Sequence, residues 1–263
     1  MAKLIGKSII AGVLLSAGSM ASAATLSAGG VEWDTTAING VQGTSGTIQF
    51  QQWFSDGTYD VGADGQVIIT ETSNDAIALG AGGFLTGVGV VNSLSDGRNF
   101  FNPSFCQSGP ATCELTVAFG GLLAVGVNEF DASNAWLNIY FDDTPDFGIS
   151  VGSSAYENFE EAQDGNLWAS FEFSSFNFDG NGFQSGDVEA YLDIVGGDSD
   201  VMDIFDTGSV RDIFLTASSQ FNNDVYTNGS TGEFTTVSTP ATLGLFGLAL
   251  FGLGAASRRR TAK

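Results

Sequence analysis

Val188-Glu189-Ala190-Tyr191-Leu192-Asp193-Ile194 alternates with a period of two. In an extended chain this puts Val188, Ala190, Leu192 and Ile194 on one face and Glu189, Tyr191 and Asp193 on the other, the mark of a half-buried strand. The same texture recurs along the chain. Upstream lie Leu167-Trp168-Ala169-Ser170-Phe171-Glu172-Phe173, Ala135-Trp136-Leu137-Asn138-Ile139-Tyr140-Phe141 and Glu114-Leu115-Thr116-Val117-Ala118-Phe119. Earlier still come Gln66-Val67-Ile68-Ile69-Thr70-Glu71-Thr72 and Thr47-Ile48-Gln49-Phe50-Gln51-Gln52-Trp53-Phe54, and downstream Ile213-Phe214-Leu215-Thr216-Ala217. β-Branched and aromatic residues dominate these runs. Ser55-Asp56-Gly57, Ala63-Asp64-Gly65, Ser95-Asp96-Gly97, Asp179-Gly180-Asn181-Gly182 and Gly196-Gly197-Asp198 separate them with turn chemistry. The spacing predicts one all-β domain over 24–236, a jelly-roll-like β-sandwich. Only 155–163 reads as helix, with Tyr156, Phe159 and Ala162 at three-residue spacing.

The chain has 263 residues, 43% of them apolar, enough for a substantial core. Its charge is lopsided, with 8 Lys+Arg against 30 Asp+Glu and a net −22. Binding a nucleic acid requires clustered Lys and Arg at the phosphates, so nucleic acid is not among the expected partners. The absence of histidine excludes His-ligated zinc and Ser-His-Asp or Cys-His catalysis.

The termini carry signals of a different kind. Lys3 and Lys7, the apolar run from Ile9 to Leu15 and the small-x-small sequence Ala21-Ser22-Ala23 read as a secretory signal over 1–23, cleaved before Ala24. At the other end Val237-Ser238-Thr239-Pro240-Ala241 precedes an uncharged Leu/Gly/Phe-rich span, 241–257, and then Arg258-Arg259-Arg260 in a basic tail over 258–263. Seventeen residues in a helix would measure about 25 Å, and arginines just beyond are a stop-transfer signal, so the span is expected to be a transmembrane helix with its tail in the cytoplasm. Between the two ends, 24–239 holds only Arg98 and Arg211 against all 30 acids, a net −28 with no lysine. Such a surface repels anionic glycans and lipids and attracts cations.

The layout Pro240-Ala241, apolar span, Arg258-Arg259-Arg260 resembles the PEP-CTERM sorting signal of exopolysaccharide-producing Gram-negative bacteria, although Ser-Thr replaces the family's Pro-Glu between Val237 and Pro240. The resemblance covers about the last 27 residues, 237–263. It implies export through the inner membrane, with signal peptidase and exosortase as processing partners. The destination it implies is the cell surface or the extracellular matrix, with the chain transiently or permanently anchored in the cytoplasmic membrane.

Cys106 and Cys113 flank Gly109-Pro110 and are expected to form a disulfide closing that loop, worth about 2.5 kcal/mol in the chain-entropy model. The candidate cofactor is calcium. Asp179 and Asn181 sit at alternate places of a loop resembling an EF-hand that continues to Asp187, but position twelve is Val188. Asp198, Asp200, Asp203 and Asp206 form a second acidic group, some of which alternation would put on one exposed strand face, and Asp142-Asp143-Thr144-Pro145-Asp146 reads as a hairpin tip. Arg98 and Arg211 are expected to pair with Asp96 and Asp212, and Trp33, Trp53, Trp136 and Trp168 to serve mainly the core.

Three functions are compatible with these features. The first is a structural or adhesive matrix protein without catalysis. The second is a calcium-dependent carbohydrate-binding module contacting exopolysaccharide. The third is a glycan-cleaving enzyme using a carboxylate pair.

Overall fold

The computed structural model describes residues 25–38, 41–55, 59–61, 67–69, 82–95, 105–109, 111–148, 155–182, 185–220 and 230–237. Two small hairpins lead, β1 (Thr25–Ala28) with β2 (Val31–Asp34) and β3 (Thr36–Ile38) with β4 (Val41–Gly43). The long strand β5 (Ser45–Ser55) follows, then a third hairpin, β6 (Tyr59–Val61) with β7 (Val67–Ile69). The remaining elements are β8 (Phe84–Leu94), β9 (Glu114–Gly126), β10 (Glu129–Asp131), β11 (Trp136–Asp142), α1 (Ala155–Glu161), β12 (Asn166–Gly180), β13 (Ser185–Gly197), α2 (Ser199–Phe205), β14 (Ile213–Gln220) and β15 (Ser230–Thr236).

Eight strands pair in the order β5-β8-β9-β11-β12-β13-β14-β15, every pair antiparallel, and β15 pairs back onto β5 with Ser230 opposite Phe50 and Thr235 opposite Ser45. The sheet is therefore a closed up-and-down barrel, which corrects the expected sandwich. Alternation marks one buried face per strand, and both architectures satisfy that. The deciding contact is the closing pair, whose members lie about 180 residues apart and leave no local trace. The expected transmembrane helix is likewise unsupported. No helix among the described residues is long and apolar enough to cross a membrane, and 241–257 lies outside them, as do the signal segment with Ala21, Ala23 and Ala24 and the sorting residues Pro240, Ala241, Arg258, Arg259 and Arg260.

The barrel interior is apolar and full. Ile48, Phe50, Val117, Phe119, Leu137, Phe171, Leu192 and Leu215 are among its buried side chains. An internal void of about 50 Å³ is lined by these and similar groups and by the polar Gln52. Eight strands enclose a space that side chains can fill, and here they do. Glycine and phenylalanine share the job. A Cβ on Gly46 would lie 2.3 Å from the Phe234 ring, and one on Gly87 2.3 Å from Phe119, so aromatic rings lie directly over inward glycines of the neighbouring strand. Outward positions of β13, β14, β15 and β5 are mainly polar, the reverse of a membrane barrel with its outward apolar band.

One end is stoppered. Trp33 of β2 packs on Trp168 and Phe205 at ring-centroid distances of 6.1 Å and 6.0 Å, and its indole N–H donates to Thr44 Oγ1 at 2.8 Å. Val31 bridges to Cys106, and Cys106 is disulfide-bonded to Cys113 with Cα atoms 5.6 Å apart. The loop thereby ties the leading hairpin to β9, which begins at the next residue. Helix α2 exists because Asp198 caps it, accepting from the N–H groups of Asp200 and Val201, while Val201 and Phe205 at i, i+4 spacing face the barrel. At the opposite end Phe130 of β10 stands edge-on to Phe176 and Phe178.

Outside the barrel, α1 covers Trp53, Val88, Ala118 and Tyr140 with Phe159 and the following Ala162. Buried polar links register it. Asn158 donates to Gln51 at 2.7 Å, Tyr140 to Gln163 Oε1 at 3.0 Å, and Thr116 to the Ala162 carbonyl at 2.7 Å.

Candidate functional site

The residues that gather for chemistry lie at the stoppered end. Antiparallel pairing puts Asp142, the last residue of β11, opposite Glu114, the first of β9. The chain then turns away towards α1 instead of returning as a hairpin, and this turn brings Asp146 back. Carboxylate oxygens of Glu114, Asp142 and Asp146 lie within 4.8 Å of one another, the one such cluster of possible metal ligands among the described residues.

The turn has local causes. Asp142 Oδ1 accepts from the Thr144 N–H and hydroxyl, both at 2.8 Å, and Glu114 Oε1 accepts from the N–H groups of Asp146 at 3.1 Å and Phe147 at 3.0 Å. Glu114 is 6% exposed and Asp142 8%. Burial pushes the Glu114 carboxyl above the usual carboxylate range; the Phe147 and Asp146 amides pull against it, and Asp142 and Asp146 add to the rise. Asp164 is raised too, first by burial and then by the charges of Asp142 and Asp146. Carboxylate oxygens gathered in this way could hold a hard divalent cation.

The acids singled out in the sequence sit elsewhere. Asp179 and Asp187 face each other across the β12–β13 hairpin with Asn181 in its turn, all exposed, at the far end of the barrel. Asp198 and Asp200 belong to the first turn of α2 at the stoppered end, Asp198 as its cap, which replaces the expected strand face. Asp179, Asn181 and Asp187 thus stay together at one hairpin and Asp198 and Asp200 at the other end, while the cluster of the structure uses Glu114, which drew no attention in the sequence. The available signal was register: Thr116 opposite Tyr140 implies Glu114 opposite Asp142.

Arg211 also departs from expectation. Its guanidinium lies over the Tyr191 ring, 4.7 Å from the centroid, and Tyr191 packs on Phe214. Asp212 points the other way. It is fully buried and accepts from Thr207 N–H at 2.8 Å, Thr207 Oγ1 at 2.6 Å and Ile194 N–H at 3.1 Å. Arg98 and Asp96 lie outside the described residues. Trp33, Trp53 and Trp168 are buried, and Trp136 packs against Phe159, as expected of core residues.

No family model matches the chain, and no curated protein or solved structure matches it either.

Calcium added at matched ionic strength is expected to raise the melting temperature by a few degrees, and Glu114→Gln to remove that increment. Protons compete for the same oxygens, so the increment should grow as pH rises and Glu114 ionises. An equal shift from calcium in wild type and E114Q would rule this cluster out as its origin.

Proposed function

We propose that the chain is an exported, non-catalytic structural or adhesive protein of the bacterial surface or extracellular matrix, directed there by the PEP-CTERM-like signal at its C terminus. The observation that carries this reading is the buried Cys106–Cys113 disulfide. It holds the stopper on the barrel, and structural disulfides of this kind belong to oxidising compartments. The filled interior supports a scaffold role, because the apolar void inside the barrel is only about 50 Å³. A surface with almost no basic residues suits a hydrated, cation-rich surrounding, and the Glu114 cluster favours calcium as a stabilising ion there.

Fractionation of the native organism with mass mapping tests the reading. Recovery from the envelope or matrix, with Cys106 and Cys113 linked in non-reduced peptides and the chain starting near Ala24, is the expected result. Cytosolic material with two free thiols would overturn it.

A further inference from the structure

Four neighbouring strands carry a ladder of polar side chains across the outer wall. Glu189, Thr216, Glu233 and Thr47 form one row, each opposite the next in the pairing register of β13, β14, β15 and β5. Asp187, Ser218, Thr231 and Gln49 form a second row two residues along. Both rows line an open groove of about 740 Å³, with the intervening row Val188, Ala217, Gly232 and Ile48 between them. That volume falls in the roughly 300–1,000 Å³ range of ligand sites. Glu189, Glu233 and Asp187 are exposed, and among the described residues no basic side chain lines the groove.

We propose that this groove binds a glycan whose sugars bear free amino groups, a reading that rests on the matrix role above and specifies its ligand. The ladder repeats at the interstrand step of about 4.8 Å, a step comparable to one pyranose ring, so each ring of a chain lying across the strands meets a fresh pair of polar side chains. Hydroxyl and amide groups both donate and accept, as sugar hydroxyls do. The three carboxylates are the complement of ammonium groups, and the net −28 of 24–239 draws a cationic chain towards the wall while repelling an anionic one.

The test uses a chitosan oligosaccharide as probe, titrated against the exported protein at 150 mM salt. Its fully N-acetylated counterpart and an oligolysine serve as comparisons. Glu189→Gln with Glu233→Gln is expected to weaken chitosan binding at least tenfold. Asp200→Asn with Asp203→Asn on α2, which removes the same charge far from the groove, should change it less than twofold. Equal losses in the two double variants would overturn the proposal in favour of a general field effect. It is also overturned if the acetylated oligosaccharide binds as well, or if oligolysine depends on the groove to the same degree. Each of these outcomes leaves the fractionation result untouched, so failure of the ligand and failure of the matrix reading are told apart.

Discussion

Gly87→Ala is expected to lower the melting temperature by several degrees, the result of about 1–3 kcal/mol of overpacking. The added methyl would sit 2.3 Å from the Phe119 ring and 2.6 Å from the Gln51 carbonyl oxygen. The ring can shift. The carbonyl belongs to the β5–β8 ladder and cannot move without breaking it. Adding Phe119→Leu should therefore restore only part of the loss, a coupling that a double-mutant cycle measures. Gly148→Ala, where a Cβ meets nothing within 4 Å, is the control and should leave the melt unchanged. A Gly87→Ala protein that melts with wild type would remove the ring-over-glycine account of this core.

Asp212→Asn should cost about 3 kcal/mol or more. The carboxylate accepts from two backbone N–H groups and one hydroxyl, and an asparagine amide would turn a donor towards one of those donors, leaving it unsatisfied in a buried site. Asp193 shares this site. Burial raises its pKa first, followed by its hydrogen bond to Asp212 and the charges of Asp212, Asp206 and Glu172. A carboxyl whose folded pKa lies above its unfolded value stabilises the fold below that unfolded value. The contribution fades as pH rises through the folded one. Stability should accordingly fall as the pH leaves the acidic range, and Asp193→Asn, which can donate to Asp212 at any pH, should flatten that decline. Melts recorded from pH 4 to pH 8 would show both effects; a slope unchanged in D193N would exclude Asp193 as their source.

Individual strands were legible in the chain because their pattern is local. Val188 to Ile194 fall within β13 and Trp136 to Phe141 within β11, and the helix read over 155–163 is α1 over Ala155–Glu161. Two barrel strands escaped. In β8, Gly87 and Gly89 occupy inward positions where an apolar side chain would have signalled alternation; the Phe119 ring fills the place at Gly87, and the Gln49 carbonyl and the Phe50 Cβ close in on Gly89. In β15, Gly232 has the same effect, with Phe50 near it. Without those two strands a closed sheet had no means of closing, which is why the architecture was misjudged. Helix α2 escaped because its acids alternate, while its real signal was an aspartate cap followed by Val201 and Phe205 four residues apart. The carboxylate cluster needed the pairing of β9 with β11, an item of tertiary information that motif spacing does not hold.

The barrel begins and ends at neighbouring points. Thr236 N–H donates to the Thr44 carbonyl at 2.8 Å, and Val237 N–H to that of Asp212 at 2.7 Å, so the polypeptide enters and departs through the stoppered base. Whatever grips the C-terminal residues therefore grips the molecule by its foot. The tips between β9 and β10 and between β12 and β13 are then the parts farthest from Val237, with the polar wall between. Many copies tethered in this way would stand as a palisade, their walls turned sideways to whatever threads among them.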